Sequence, residues 1–178
     1  MDLRISCSSL LSRLTAHALR LTAVMLCLAL GACGFHLRGE ASLPFDTIYI
    51  QATAGSQFAN ELRRAIRGGS QTKVVDDVKD AQATVQIISE VNQRQILSLT
   101  AAGRVQELSL LYHVTFRLSD GKAKEYIPAN EVVLRRDLTY SDADVIAKEQ
   151  EEALLFRDMQ KDAVRQVVRR LQAVQVGS

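Results

Sequence analysis

The 178-residue chain predicts an α+β fold. It is a two-layer sandwich, with two amphipathic helices packed on one face of a mixed four- to five-stranded sheet, in the order β-α-β-β-β-β-α. Three observations carry this. Residues 107–118 alternate apolar and polar side chains with one interruption, Leu111, which is the period of a sheet with one covered face. A long stretch ending near Val174 repeats apolar residues at helical spacing, so one stripe of a helix needs cover. A shorter helical pattern, 57–67, lies between two β-rich runs, as in a right-handed crossover between parallel strands. Helices and strands that are each apolar on one side cover one another in two layers.

The chain begins with a segment outside that sandwich. Arg4, Arg13 and Arg20 precede an almost wholly apolar run, 21–30, which ends in Leu30-Gly31-Ala32-Cys33. A basic start, a short apolar run and small residues at the cut make a secretory signal. A cut directly before cysteine fits the bacterial lipobox. Residues 1–32 are therefore expected to be a cleaved lipoprotein signal peptide, and Cys33 the acylated first residue of the mature chain, carrying an N-acyl diacylglycerol with palmitate-type chains. The run falls short of the ~20 residues of a comfortable spanning helix, so a lipid anchor is expected and not a membrane span. The competing reading is an ordinary signal peptide with a chance cysteine, or an uncleaved anchor helix. Gly34 stands where an aspartate commonly retains such lipoproteins in the inner membrane, which points to the outer one.

Cleavage simplifies the composition. Cys7 and Cys27 leave with the signal and Cys33 is acylated, so the mature protein keeps no thiol for a disulfide. The signal removes three of the 22 Lys and Arg and one of the 20 Asp and Glu, leaving the two signs equal. No bulk basicity argues for nucleic acid, and any anion site must be a local cluster.

Residues 33–44 read as a lipidated tether and 45–178 as one domain. Residues 45–52 (FDTIYIQA) are aromatic and β-branched, and form the first strand. Ser56 caps the helix over 57–67, with Phe58, Leu62, Ala65 and Ile66 on its inner face; Gly68-Gly69 ends it. Residues 73–75 are a short strand and 76–81 a polar connection. Residues 83–97 read as a long strand, with Ala83, Val85, Ile87 and Val91 on one face and Thr84, Gln86, Glu90, Asn92 and Arg94 dominating the other. A turn at 100–103 leads to the strand over 107–118. Asp120-Gly121 signals the next turn, Pro128 an edge or loop, and 131–140 the last strand. Ser141 or Asp142 caps the long helix, whose stripe includes Val145, Ala153, Phe156, Met159, Ala163, Val167 and Leu171.

The sequence offers little for catalysis. Only His36 and His113 remain after cleavage, without cysteines or carboxylates at ligand spacing, so no metal site is expected. No nucleophile elbow or phosphate-cradling glycine loop occurs, and no enzyme activity is expected. The charged features are more informative. Arg63, Arg64 and Arg67 mark a solvated helix face. Arg136 shares a strand face with Val132, Leu134 and Leu138, so its guanidinium needs a partner or a route past the sheet edge. Glu149 lies near the middle of the long helix's stripe, which predicts a structural ion pair between Arg136 and Glu149. Lys148 borders the same stripe, where a lysine usually covers apolar area with its stem.

The stretch Cys33-Gly34-Phe35-His36-Leu37-Arg38-Gly39 resembles the mature start of the LptE (RlpB) family of LPS-assembly lipoproteins. Ile146-Ala147-Lys148-Glu149-Gln150-Glu151-Glu152, followed by Leu155, Met159, Asp162 and Arg169-Arg170-Leu171, is similar to that family's C-terminal helix. Val133-Leu134-Arg135-Arg136 and Leu138-Thr139-Tyr140 are similar to its last strand.

The resemblance implies an outer-membrane lipoprotein that plugs the lumen of the β-barrel LptD, supports its assembly from the periplasmic side, binds lipopolysaccharide and helps place it in the outer leaflet. It also implies a lipopolysaccharide-binding role for Lys148, the lysine of the Ala-Lys-acidic motif. The family's second basic residue, in the turn between the two long strands, falls on Ala101, with Arg104 nearby. Phosphates need charge-assisted bonds from local cations, for which the candidates are Lys148, Arg104, Arg136 and the Lys122–Lys124 turn. The alternative is a periplasm-facing lipid-binding lipoprotein accessory to another envelope transport system. A carrier of that kind needs an apolar cavity between sheet and helices, whereas a plug needs a filled core.

Overall fold

In the computed structural model, residues 42–122, 124–140 and 144–175 are described. The signal segment, Cys33, most of the tether and the Ser141 or Asp142 cap lie outside them. The elements are β1 (Thr47–Gln51), α1 (Gln57–Gly69), β2 (Lys73–Val75), β3 (Ala83–Leu99), β4 (Val105–Ser119), β5 (Glu125–Thr139) and α2 (Val145–Gln172), with a short 3₁₀ turn over Val78–Asp80 in the polar connection. The five strands form one mixed sheet in the order β2-β1-β3-β4-β5. β1 runs parallel to both β2 and β3, whereas β3, β4 and β5 are successive antiparallel neighbours. This is the expected α+β sandwich.

The parallel corner forms because α1 carries β1 back to β2. Ser56 caps α1: its Oγ accepts the Ala59 N–H at 3.0 Å, satisfying one of the donors a helix start leaves open. Phe58, Ala59, Leu62 and Ile66 are buried on one stripe. They meet Ile48 and Ile50 of β1 and Val85 of β3, all in one apolar core with Met159, Val167 and Leu171 of α2. Thr72 donates its hydroxyl to the Phe45 carbonyl at 2.8 Å, tying the return strand to the start of β1.

β4 is the central element. Leu110, Tyr112, Val114, Phe116 and Leu118 are all buried toward the helices, as their period of two requires. β5 begins at Glu125 and so runs through Pro128, earlier than expected. Its register against β4 shifts between the pairs Phe116–Asn130 and Leu118–Ile127. A bulge on an edge strand is where a residue without an N–H is tolerated.

The alternation expected for β3 first fails at Ile88, and the register shifts again beyond Ile96. Ile87 pairs with Phe116, but Ser89 pairs with Thr115, so Ile88 is an extra residue in the ladder. A one-residue slip moves every later side chain to the other face. Val91 is consequently not on the face of Ala83, Val85 and Ile87 and is 49% exposed. Glu90, Asn92 and Arg94, expected on the helix-free face, instead lie opposite Val114, Tyr112 and Leu110 on the helix side.

The expected ion pair is also corrected. Arg136 does reach from the helix face of the sheet to α2, but its Nη2 donates to Asp162 Oδ2 at 2.9 Å, not to Glu149. Asp162 lies thirteen residues beyond Glu149, about 20 Å along a helix axis. α2 therefore passes β5 well beyond its first turns, and Glu149 is exposed.

Candidate functional site at the open end of the sandwich

The turn between β3 and β4 and the start of α2 occupy the same end of the sheet. Thr100 closes the turn: its N–H donates to the Arg104 carbonyl at 2.7 Å, and its hydroxyl accepts the Arg104 N–H at 3.1 Å. Gly103 supplies the positive φ of 74°, which a side chain rarely adopts. The chain leaving β5 returns to this end, where the Tyr140 N–H donates to the Gln106 carbonyl at 2.8 Å. α2 starts from there.

Lys148 sits in the first turns of α2 and is half-buried. Its Nζ donates to Glu151 Oε2 at 2.8 Å. A pair three residues apart on a helix surface is worth only a few tenths of a kcal/mol, so a phosphate can compete for this ammonium. Arg104 lies exposed in the turn at the same end. The same end also carries exposed apolar side chains: Ile96, Leu97 and Leu99 on the outer part of β3, and Val145, Ile146 and Leu154 on α2. Two cations and six large apolar side chains thus share one end of the molecule, matching a ligand with both anionic and apolar parts.

Arg94 was not a sequence-level candidate, yet it holds this end together. Its Nε donates to Glu152 Oε1 at 2.6 Å. Glu152 is buried and Arg94 largely exposed, so the pair ties the outer half of β3 to the first turns of α2. The bulge at Ile88 is what turns Arg94 to this side. The signal in the sequence is the doublet Ile87-Ile88, where the apolar alternation changes phase.

The other predicted cations are elsewhere. Arg136, on edge strand β5, gives Nη1 to its neighbour's carbonyl, Arg135 O, at 2.8 Å and Nη2 to Asp162. Its guanidinium is partly exposed and holds these two partners. Asp162 is fourteen residues past Lys148, about 21 Å along the axis, so the structure does not group Arg136 with Lys148 and Arg104. Lys122 and Lys124 are at the opposite end of β4, in a turn whose Lys122 and Lys124 N–H groups donate to Asp120 Oδ1 at 2.8 and 3.0 Å. Lys124 also stands over the Tyr126 ring at 5.1 Å. Arg63 bonds Asn60 and the Ile50 carbonyl, and Arg64 pairs with Glu61. These arginines secure α1.

Among the described residues no three His, Cys, Asp or Glu side chains are grouped to hold a metal. His113, on the helix-free face, has Nδ1 2.8 Å from Glu131 Oε1. Among the described residues, no helix is long and apolar enough to cross a membrane.

Relatives share this architecture. The chain is 25% identical over 155 residues to the LPS-assembly lipoprotein LptE of Yersinia pestis (strain Pestoides F), covering 83% of this chain and 72% of the relative. The solution structure of lipoprotein B from Nitrosomonas europaea is 41% identical, with a TM-score of 0.69 over 79% of this chain and 91% of that one. The crystal structure of rare lipoprotein B from Shewanella oneidensis, 22% identical, has the same fold, with a TM-score of 0.62 over 70% of this chain and 92% of that one. The family model for LptE, described as lipopolysaccharide-assembly, matches residues 45–171, from the start of the sheet to the last buried leucine of α2. A match across every element of the sandwich shows that the chain belongs to the LptE family of lipopolysaccharide-assembly lipoproteins.

Proposed function

We propose that this lipoprotein is anchored to the outer membrane through acylated Cys33, sits from the periplasmic side in the lumen of the LptD β-barrel as its plug and assembly partner, and binds lipopolysaccharide on its way to the outer leaflet. The observation that carries the lipopolysaccharide reading is the open end, where Lys148 and Arg104 occur together with exposed Ile96, Leu97, Leu99 and Ile146. An amphiphile bearing phosphates matches both halves of that surface. Lys148 is the principal cation and Arg104 the second. Arg136 acts as a strap between sheet and helix. The protein positions its ligand and its barrel partner and performs no covalent step.

The filled core favours a plug over a lipid carrier. Phe58, Leu62, Ile66, Met159, Val167 and Leu171 have essentially no exposure in the layer between sheet and helices, where a carrier needs room for acyl chains. The test has two parts. Purification of the tagged protein from outer membranes is expected to recover a large barrel in stoichiometric complex; a monomer carrying extractable phospholipid would favour the carrier instead. Lys148→Asp, in a folded protein, is expected to weaken lipopolysaccharide binding, and unchanged binding would remove Lys148 from the site.

A further inference from the structure

A second, polar cleft of about 690 Å³ opens on the helix side of the sheet, within the size range of small-molecule sites. Its walls are the N-terminus of α1, the part of β3 beyond the bulge, and the face of α2 around Phe156 and Gln160. A neighbouring groove of about 420 Å³ shares Gln57, Arg157 and Gln160 with it and continues between the two helices. The bulge at Ile88 aims Glu90 and Asn92 into this space; bulges recur beside functional sites because they re-aim side chains in this way.

Glu90 is held in place at both oxygens. Tyr112 Oη donates to Oε1 at 2.9 Å, and Ser56 Oγ donates to Oε2 at 2.9 Å. Ser56 Oγ also accepts the Ala59 N–H, so its proton is left to point at Glu90. Burial first, and then the Glu90 charge and bond, push the Tyr112 phenol far above its ordinary range, so Tyr112 keeps the proton it donates. Each carboxylate oxygen retains further acceptor capacity. This is a carboxylate fixed in direction before any ligand arrives, exposed at the floor of a cleft.

The groups around it select a class of ligand. A sugar hydroxyl both donates and accepts. Neighbouring hydroxyls are met by planar groups offering two acceptors, two donors, or one of each. Glu90 supplies the first, Arg157 the second, and Asn92, Gln57 and Gln160 the third. Phe156, half-buried in the same wall, offers an apolar surface to the C–H face of a sugar ring. An acyl chain here would bury these polar groups without partners. An anion would meet Glu90. A metal ion would find one carboxylate where it needs several oxygens.

We propose that this cleft is a saccharide-binding site, taking one or two pyranose units, with Glu90 accepting from a pair of hydroxyls and Asn92, Gln160 and Arg157 completing their bonds. The class of ligand stands on the cleft alone. That the sugars are those of lipopolysaccharide rests on the function proposed above.

The test is NMR titration of the full-length lipidated protein in detergent, ¹⁵N-labelled, following the side-chain amides of Gln57, Asn92 and Gln160. Two probes are used: deacylated lipopolysaccharide oligosaccharide and D-glucose. Saturable shifts at these amides with both probes support a general sugar site, and shifts with the oligosaccharide alone support a site for the sugars of lipopolysaccharide. Glu90→Gln is expected to weaken binding about ten-fold, the loss of one hydrogen bond to a charged group. Asn92→Ala and Gln160→Ala, outside the core, are expected to weaken it less while leaving the fold intact. D-glucose carries no phosphate, so its binding is expected to be unchanged in Lys148→Asp; this separates the cleft from the open end. Shifts confined to residues around Lys148, or no shift with either probe in a folded protein, would overturn the proposal. Failure to recover a barrel would remove the plug reading and leave this result standing.

Discussion

The two ends of α2 lie in different surroundings. From Met159 onward, Met159, Ala163, Val164, Val167 and Leu171 are buried against the sheet and α1; over the turns before Met159, Glu152 alone is buried. β3 divides in the same way. Ala83 to Ile87 is largely buried, and Ile88 to Leu99 is almost entirely exposed. One half of the molecule is therefore closed by apolar packing. The other is held by directed polar bonds, Arg94 to Glu152 and Tyr112 and Ser56 to Glu90. Burial of a large apolar side chain stabilises by about 1.5–3 kcal/mol, whereas a hydrogen bond contributes about 1 kcal/mol net. Stability is thus concentrated in the closed half, and the open half retains surface for binding.

The widest separation is expected from large-to-small changes. Phe58→Ala and Met159→Ala are expected to cost about 2–5 kcal/mol each, because neither site has solvent to fill the cavity. Ile146→Ala, at a position 74% exposed, is expected to stay within about 0.5 kcal/mol. Urea denaturation checks this through the midpoint at constant slope. Equal losses at Met159 and Ile146 would abolish the division.

The next effect is an asymmetry within one ion pair. Glu152 is buried while Arg94 reaches water. Arg94→Ala leaves a buried carboxylate without its partner and is expected to cost about 2 kcal/mol. Glu152→Ala leaves a solvated guanidinium and is expected to cost about 1 kcal/mol. A double-mutant cycle measures their coupling. A reversed order would mean that Arg94 is the group that depends on the pair.

Most of the closed half was legible in the sequence because its elements obey one period each. β4 shows every second residue buried from Leu110 to Leu118, and α1 buries its stripe as spaced. The open half depends on two things that a period does not encode. One is the bulge at Ile88, which carries Glu90, Asn92 and Arg94 to the other face; a single pair of adjacent isoleucines marks it. The other is where a helix stripe meets a strand. Arg136 was correctly placed on the helix face, but its partner follows from how α2 crosses the sheet, so Asp162 takes it and not Glu149. Lys148 was identified by resemblance, since an ammonium at the border of a stripe looks like any lysine whose stem covers apolar surface.

Tyr112 joins the halves, with its ring in the core and its hydroxyl on Glu90. Its phenol is raised by burial and then by the Glu90 charge, so the unfolded chain loses this proton first, near the ordinary value of about 10. Above that pH the unfolded state binds fewer protons than the folded one, and stability falls as pH rises. Tyr112→Phe is expected to cost about 1 kcal/mol near neutrality and to flatten the alkaline limb of a plot of stability against pH. An unchanged alkaline limb would mean that Tyr112 is not the group responsible.

The smallest stability effect is expected where the functional one is sharp. Ile96→Ser and Ile146→Ser remove exposed apolar surface, so their denaturation midpoints are expected to stay within about 0.5 kcal/mol of the parent. Lipopolysaccharide binding is expected to weaken in both, because an amphiphile loses apolar contact there while the Lys148 charge is untouched. Lys148→Asp reverses the charge and leaves the exposed isoleucines in place. Comparison of the two kinds of variant assigns the open end: losses in both show that it reads acyl chains and phosphates together. A loss in Lys148→Asp alone would reduce it to a cation site, and the exposed isoleucines would then belong to contact with the barrel wall, which barrel recovery with Ile96→Ser and Ile146→Ser measures directly.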